Sequence, residues 1–68
     1  MGINPVCDAI IAFIENRGSL SENNFVHLER HLPAGTGETG VTEALNTLMR
    51  VGHVVISIKN GQVHFCRS

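Results

Sequence analysis

The glycine-rich segment 33–40 holds the first residues whose types and spacing could do chemistry. Gly35, Gly37 and Gly40 form a literal G-x-G-x-x-G, the pattern in which backbone N–H groups approach the phosphates of a dinucleotide. That chemistry needs a strand before the glycines and an acidic residue about 20 positions after them. Here an apolar helical pattern precedes the glycines, and Val41-Thr42 follows Gly40 where a phosphate-binding loop has Lys-Ser or Lys-Thr. We therefore expect a flexible connector, no nucleotide and no other cofactor.

Histidine, cysteine and serine side chains offer further chemistry, but their spacing favours structural roles. His27 and His31 are four residues apart, which can place two metal ligands on one helix face. The nearby sequence supplies no third ligand, so a solvated pair is favoured and no metal site is predicted. Cys7 and Cys66 are expected to be buried thiols rather than a disulfide. The serines lack a nucleophile motif, and no enzymatic activity is predicted.

Three helices are expected to position these residues. Asn4-Pro5 is a strong helix start and Arg17-Gly18 a typical helix end. A second helix follows Ser19 and Ser21, either of which could cap it, and Pro33 closes it. A third helix runs roughly over 40–51, after a cap at Thr39. Their inward faces are predicted from apolar residues at helical spacing: Val6, Ile10, Phe13, Ile14, Phe25, Leu28, Leu32, Val41, Ala44, Leu45, Leu48 and Met49.

The carboxy-terminal segment predicts a β-hairpin. Asn60-Gly61 separates two β-rich runs, and this dipeptide is typical of a two-residue turn with positive φ at both positions. The turn sets the register, pairing Ile58 with Val63, Ile56 with Phe65 and Val54 with Arg67. We expect that face to be the buried one, because the alternate pairs are more polar.

Size and charge restrict the classes of function. The chain has 68 residues, 43% of them hydrophobic, and a net charge of −1, which predicts one small globular domain over 1–68. It contains no apolar run of the ~18 residues that a membrane span needs and no signal-peptide pattern. A cytoplasmic location is therefore predicted. The charge is too low for a typical nucleic-acid-binding domain, and a core this small favours dimerisation.

The order of elements resembles the winged helix-turn-helix superfamily. The resemblance rests on helix–strand–helix–helix–hairpin order over about residues 4–66, on Leu20 at the short-strand position, and on the run 44–55, ALNTLMRVGHVV. It implies an α+β fold, α-β-α-α-β-β, in which the hairpin is the wing. It also implies a transcriptional regulator, nucleoid-associated, whose third helix enters the major groove of duplex DNA. The residues it assigns to DNA contact are Thr39, Thr42, Asn46, Thr47, Arg50, Lys59 and Arg30.

An alternative remains open at this point. Glu38 and Glu43 lie at the start of the third helix and on its outer face, where carboxylates would repel phosphate. The connection before that helix is also longer than the ~3–4 residues usual in a helix-turn-helix. A non-catalytic protein–protein interaction module, acting as an adaptor or an inhibitor, would use this neutral-to-acidic surface and the outer hairpin face. Ile11 and Val55 would add apolar contacts to it.

Overall fold

The computed structural model describes residues 4–68, which form three helices followed by an antiparallel β-hairpin. The helices are α1 (Pro5–Arg17), α2 (Phe25–Glu29) and α3 (Gly37–Arg50). The strands are β1 (Val54–Lys59) and β2 (Gln62–Arg67). The α+β class, the three helices and the carboxy-terminal hairpin are confirmed.

Helix α1 begins and ends where the sequence predicts. The Asn4 side chain caps it, because its Oδ1 accepts a hydrogen bond from the Cys7 backbone N–H at 2.8 Å, and Pro5 is the first helical residue. At the other end Gly18 adopts φ of 94° and donates its N–H to the Ile14 carbonyl. That conformation is unfavourable for a side chain with a Cβ, which explains the glycine.

Helix α2 is shorter than predicted, and both proposed caps are wrong. Asn24 occupies the capping position, but its Oδ1 accepts from the Ser21 N–H at 2.9 Å and its Nδ2 donates to the Ser19 carbonyl at 3.0 Å. These bonds hold residues 21–24 in a turn, so the α-helix starts at Phe25. Downstream, His31 donates to the carbonyl three residues earlier rather than four. The chain therefore leaves the α-helical pattern before Pro33.

Helix α3 begins at Gly37, three residues before the predicted start. Thr36, rather than Thr39, stands at its N-cap, and its hydroxyl donates to the Pro33 carbonyl at 2.6 Å instead of bonding the helix. The predicted Thr39 cap is therefore wrong. Gly37 and Gly40 of the glycine motif belong to the helix, so the connector is shorter than the sequence indicates.

The hairpin has the predicted register at all six pairs. Asn60 and Gly61 take φ of 51° and 76°, as a two-residue hairpin turn requires. Leu20 pairs with Phe65, which adds one residue of a further strand to the β2 side. The extended segment predicted after α1 is thereby confirmed at Leu20.

The core lies between the helices and the base of the hairpin. Ile10, Ile14, Leu28 and Leu48 are almost completely buried, and Val54 joins them from β1. The inward faces predicted for the helices are confirmed in their main members. Cys7 is buried with them, whereas Cys66 is only half-buried, so the expectation of two buried thiols holds for Cys7 alone.

The predicted buried face of the hairpin is wrong over most of its length. Val54 is 2% exposed, but Ile56, Ile58 and Val63 on the same face are 51%, 64% and 45% exposed. A six-residue strand is about 20 Å long, and the helices cover only its base. The hairpin therefore overhangs the core, with its apolar side chains beyond the helical layer.

Within residues 4–68, none of the helices combines the length and apolar character needed to cross a membrane.

Candidate interaction surface

The outward side of α3 carries the side chains that the sequence assigns to DNA contact. Thr39, Thr42, Asn46 and Arg50 are all exposed, and their spacing of three or four residues places them along one side of the helix. We call these four residues the α3 ridge. Glu38 and Glu43 are exposed beside them, so two carboxylates interrupt a surface that is otherwise neutral or basic.

Thr47 differs from the other predicted contact residues. It is half-buried, and its Oγ1 donates to the Glu43 carbonyl at 3.0 Å within the helix. The hydroxyl proton is therefore committed to the backbone, a common arrangement for threonine in a helix interior. Thr47 retains only acceptor capacity toward an external ligand.

Two of the cations, Arg17 and Arg67, contact other residues of the chain. Arg17 stacks on the Phe13 ring, 5.2 Å from its centroid, and Arg67 contacts the Glu15 carboxylate at 3.5 Å while donating to the His53 carbonyl.

Three other cations make no side-chain hydrogen bond or ion pair among the described residues. Arg50 lies at the end of α3, Lys59 at the tip of the hairpin, and Arg30 just after α2, all exposed. These are the cations that the sequence analysis assigns to a ligand.

An apolar groove of about 760 Å³ runs between α3, the start of α2 and β2. Thr42 and Asn46 of the α3 ridge form one wall, while Glu22 and Glu38 supply carboxylates. Neither lysine nor arginine lines it in the part of the chain that the structure describes. Most of the surface is apolar and comes from Phe25, Val41, Leu45, Met49, Val63 and Phe65.

The structure brings together side-chain pairs that sequence reasoning missed. Asn23 Nδ2 donates to Gln62 Oε1 at 3.0 Å. Ser19 Oγ lies 3.1 Å from His64 Nδ1, which links the segment after α1 to β2. The pairing of Leu20 with Phe65 explains it, since it aligns the neighbouring residues of the two segments. No acidic side chain bonds the histidine among residues 4–68, so the pair has the geometry of a structural link.

Two expectations about exposed side chains are wrong: His27 and His31 do not share one helix, and Ile11 does not face outward. His31 lies beyond the end of α2, and residues 4–68 contain no cluster of three side chains suited to a metal ion. Ile11 is half-buried and packs on the core, rather than facing outward. Val55 is exposed as expected.

One titratable group has a clearly shifted proton affinity. Burial raises the pKa of the Cys7 thiol; the hydrogen bond with Asn4 opposes this effect, and the charge of Asp8 adds to it. The Sγ atom lies 3.8 Å from the Ala44 carbonyl, inside the core. A buried thiol with a raised pKa is a poor nucleophile.

No protein-family model, curated protein or solved structure matches this chain. The fold order and the surface geometry are therefore the observations on which a function can be argued.

Proposed function

We propose that this chain is a winged-helix DNA-binding domain of a transcriptional regulator. The observation that carries the proposal is the α3 ridge: hydrogen-bonding side chains and one cation, all exposed along one side of the longest helix. A helix of 14 residues presenting such a face can enter a major groove, which accommodates one α-helix.

The topology supports the proposal. Leu20 exchanges backbone hydrogen bonds with Phe65 in an isolated bridge. If this bridge is counted as a short strand, the order of elements is helix, short strand, helix, helix, strand, strand. This is the order from which the resemblance to winged helix-turn-helix domains implies a recognition helix and a wing. In this arrangement α3 is the recognition helix, and the wing is the hairpin with Lys59 at its tip.

Each side chain has a role that suits its chemistry. Asn46 reads an adenine edge through its amide donor and acceptor. Thr39 and Thr42 bond phosphate oxygens. Arg50 and Lys59 neutralise phosphates at the end of α3 and at the wing tip.

Charge sets the strength of the complex. With three exposed, unengaged cations per chain and Glu43 beside the α3 ridge, few counterions are released when one chain binds. A single copy therefore binds duplex DNA weakly and with modest salt dependence. Two linked copies would double the contacts.

Fluorescence anisotropy at low salt with a mixed-sequence duplex tests this function. Arg50→Glu and Lys59→Glu should each weaken binding several-fold. Arg17→Glu changes the net charge by the same amount on α1, where Arg17 lines a different depression, and should weaken binding less. Equal loss in all three variants would show general charge dependence and would contradict the assignment of α3 and the wing tip.

The apolar groove favours a second candidate, a protein–protein interaction module. Where a DNA backbone would bridge the helix and the wing, the wall of the groove is formed by Met49, Val63 and Phe65, and the Glu38 carboxylate also lines the groove. An apolar surface with acidic residues suits a protein partner better than phosphate. Under this candidate the domain acts as an adaptor or an inhibitor without catalysis.

Affinity capture from the source cells, followed by titration of the purified partner, tests this candidate. Val63→Lys places a charge in the groove and should abolish partner binding. Val51→Lys is the matched control, because Val51 is an exposed valine beyond the end of α3 that, unlike Val26, does not line the groove. Partner binding that survives Val63→Lys would contradict the use of the groove.

A further inference from the structure

At the free edge of β1, Ile56 and Ile58 have both outward-pointing backbone groups and exposed apolar side chains. Phe65 exchanges both of its backbone hydrogen bonds with Leu20, at 2.9 and 2.8 Å, and so turns them away from β1. In an antiparallel ladder its partner Ile56 then belongs to a non-hydrogen-bonded pair, and its own N–H and C=O point to the opposite side. The same holds for Ile58, two residues along the strand.

The side chains of these two residues are the most exposed apolar groups of the strand. Ile56 is 51% and Ile58 64% exposed, and both lie on the face that carries Val54 and Phe65 to the core. No other strand among residues 4–68 pairs with this edge. An unprotected edge with apolar side chains is a template for strand addition.

We propose that this edge pairs with β1 of a second copy of the chain, antiparallel and about a two-fold axis at Ser57. Ile56 of each copy then lies opposite Ile58 of the other, and these pairs exchange the outward N–H and C=O groups. Because the axis is perpendicular to the sheet, the helices of both copies lie on the same side of the four-stranded sheet. The four isoleucines are brought together between them.

The edge is self-complementary, which favours a second copy over a different strand: Ile56-Ser57-Ile58 is symmetric about its central residue, so each isoleucine meets an isoleucine. In this register Lys59 of one copy lies opposite Val55 of the other, so no like charges meet along the edge. Ser57 is the central residue, and a small side chain permits close approach across a non-hydrogen-bonded pair.

The expected affinity follows from the size of the contact. Two short strands and four half-exposed isoleucines bury less than the roughly 1,200–2,000 Å² of a standard stable interface. The dimer is therefore expected to be weak and to form only at high protein concentration. The proposal is argued from the backbone directions and exposed side chains of β1, and it does not rest on the function proposed for α3 and the wing.

Sedimentation equilibrium over a range of about 1 µM to 1 mM, the range in which weak complexes form, tests the proposal on the full chain. The wild type should pass from monomer to dimer. Ile58→Lys should raise the dissociation constant at least tenfold, and Val51→Lys, at an exposed valine beyond the end of α3, should leave it unchanged. A wild type that stays monomeric throughout, or equal effects of the two lysines, would overturn the proposal.

A backbone variant separates strand pairing from simple apolar contact. Ile58→Pro removes an N–H that points away from β2, a position at which proline is tolerated in an edge strand. It should abolish the dimer while circular dichroism shows the fold retained, and Ile58→Val should keep the dimer. If Ile58→Pro unfolds the chain, Ile58→Lys is used in its place, after circular dichroism has shown that its fold is retained. A dimer that persists in Ile58→Lys would overturn the proposal.

Discussion

Leu20 and Phe65 exchange both of their backbone hydrogen bonds, although they are 45 positions apart in the sequence. This pair joins the segment after α1 to the hairpin and places Ser19 beside His64. It also shows in which direction the backbone groups of β1 point, because Phe65 uses its own N–H and C=O on Leu20 and leaves none for Ile56. The free edge of the sheet can therefore be identified from a contact on its other side.

Hydrogen exchange measures this relationship residue by residue. In a dilute sample, where the chain is monomeric, the Leu20 and Phe65 amides should exchange at least about a hundredfold more slowly than unprotected amides, because they open only with the sheet. The Ile56 and Ile58 amides should exchange nearly freely. Comparable rates at Leu20 and Ile56 would contradict the pairing. NMR exchange spectra provide the measurement.

Matched valine truncations test the overhang of the hairpin. Val54 and Val63 lie on the same face of the sheet, but Val54 is 2% and Val63 45% exposed. Val54→Ala should lower the free energy of unfolding by about 2 kcal/mol, since it removes two buried methyl groups and leaves a cavity. Val63→Ala should cost about 0.5 kcal/mol or less. Urea denaturation measures both, and equal costs would mean that the whole face is buried.

Local patterns predicted much of this fold. The Asn4-Pro5 start, the Gly18 end and the Asn60-Gly61 turn depend on interactions within a few residues, and each was confirmed. The register of the hairpin followed from the turn alone. The helix faces followed from periodicity, because side chains three or four positions apart share one side.

Side-chain hydrogen bonds and packing that the sequence patterns leave open explain where the sequence predictions were wrong. The Asn24 side chain bonds Ser21 and Ser19 instead of capping a helix, and several nearby residues could have capped it equally well. Period-two alternation told which hairpin residues share a face, but not how far the helices reach along it. The groove beside the α3 ridge depends on that reach, so the candidate surface could be predicted only in part.

The hairpin turn gives a second stability prediction. Gly61 has φ of 76°, where a Cβ is strained but meets no neighbouring atom within 4 Å. Gly61→Ala should therefore lower the free energy of unfolding by about 1–2 kcal/mol through the backbone alone. Asn60→Gly, at φ of 51°, keeps a residue suited to positive φ and should change stability by only a few tenths of a kcal/mol. A thermal or urea melt that shows Gly61→Ala to be neutral would exclude this turn geometry.

The two thiols should react at very different rates. Cys7 is 1% exposed and burial raises its pKa, whereas Cys66 is half-buried near the end of β2. A maleimide reagent should therefore label Cys66 first and reach Cys7 only when denaturant is added. Mass spectrometry of Cys66→Ser, which retains Cys7 alone, is the control. Rapid labelling of that variant without denaturant would contradict the burial of Cys7.

The raised pKa of Cys7 also gives stability a pH dependence. The folded state holds the thiol proton more tightly than the unfolded state does, so this contribution is fully present below the unfolded pKa of about 8.5. It is lost progressively as the pH rises above that value. Cys7→Ala should therefore flatten the fall in stability at pH values above the ordinary thiol pKa, as measured by urea midpoints. An unchanged slope would assign the fall to other groups.

The salt dependence of binding counts the phosphates that α3, Arg30 and the wing neutralise. If Arg30, Arg50 and Lys59 each neutralise one phosphate, the logarithm of the binding constant should fall with the logarithm of salt concentration with a slope of about −2.7 per chain. Arg50→Gln should reduce the slope by about one unit, because one fewer counterion is released. Asn46→Ala removes a base contact and should leave the slope unchanged while reducing preference for adenine-containing sites. Anisotropy titrations between about 20 and 200 mM salt, where counterion release dominates affinity, measure all three. A wild-type slope near zero would exclude phosphate contact and leave the apolar groove as the binding surface.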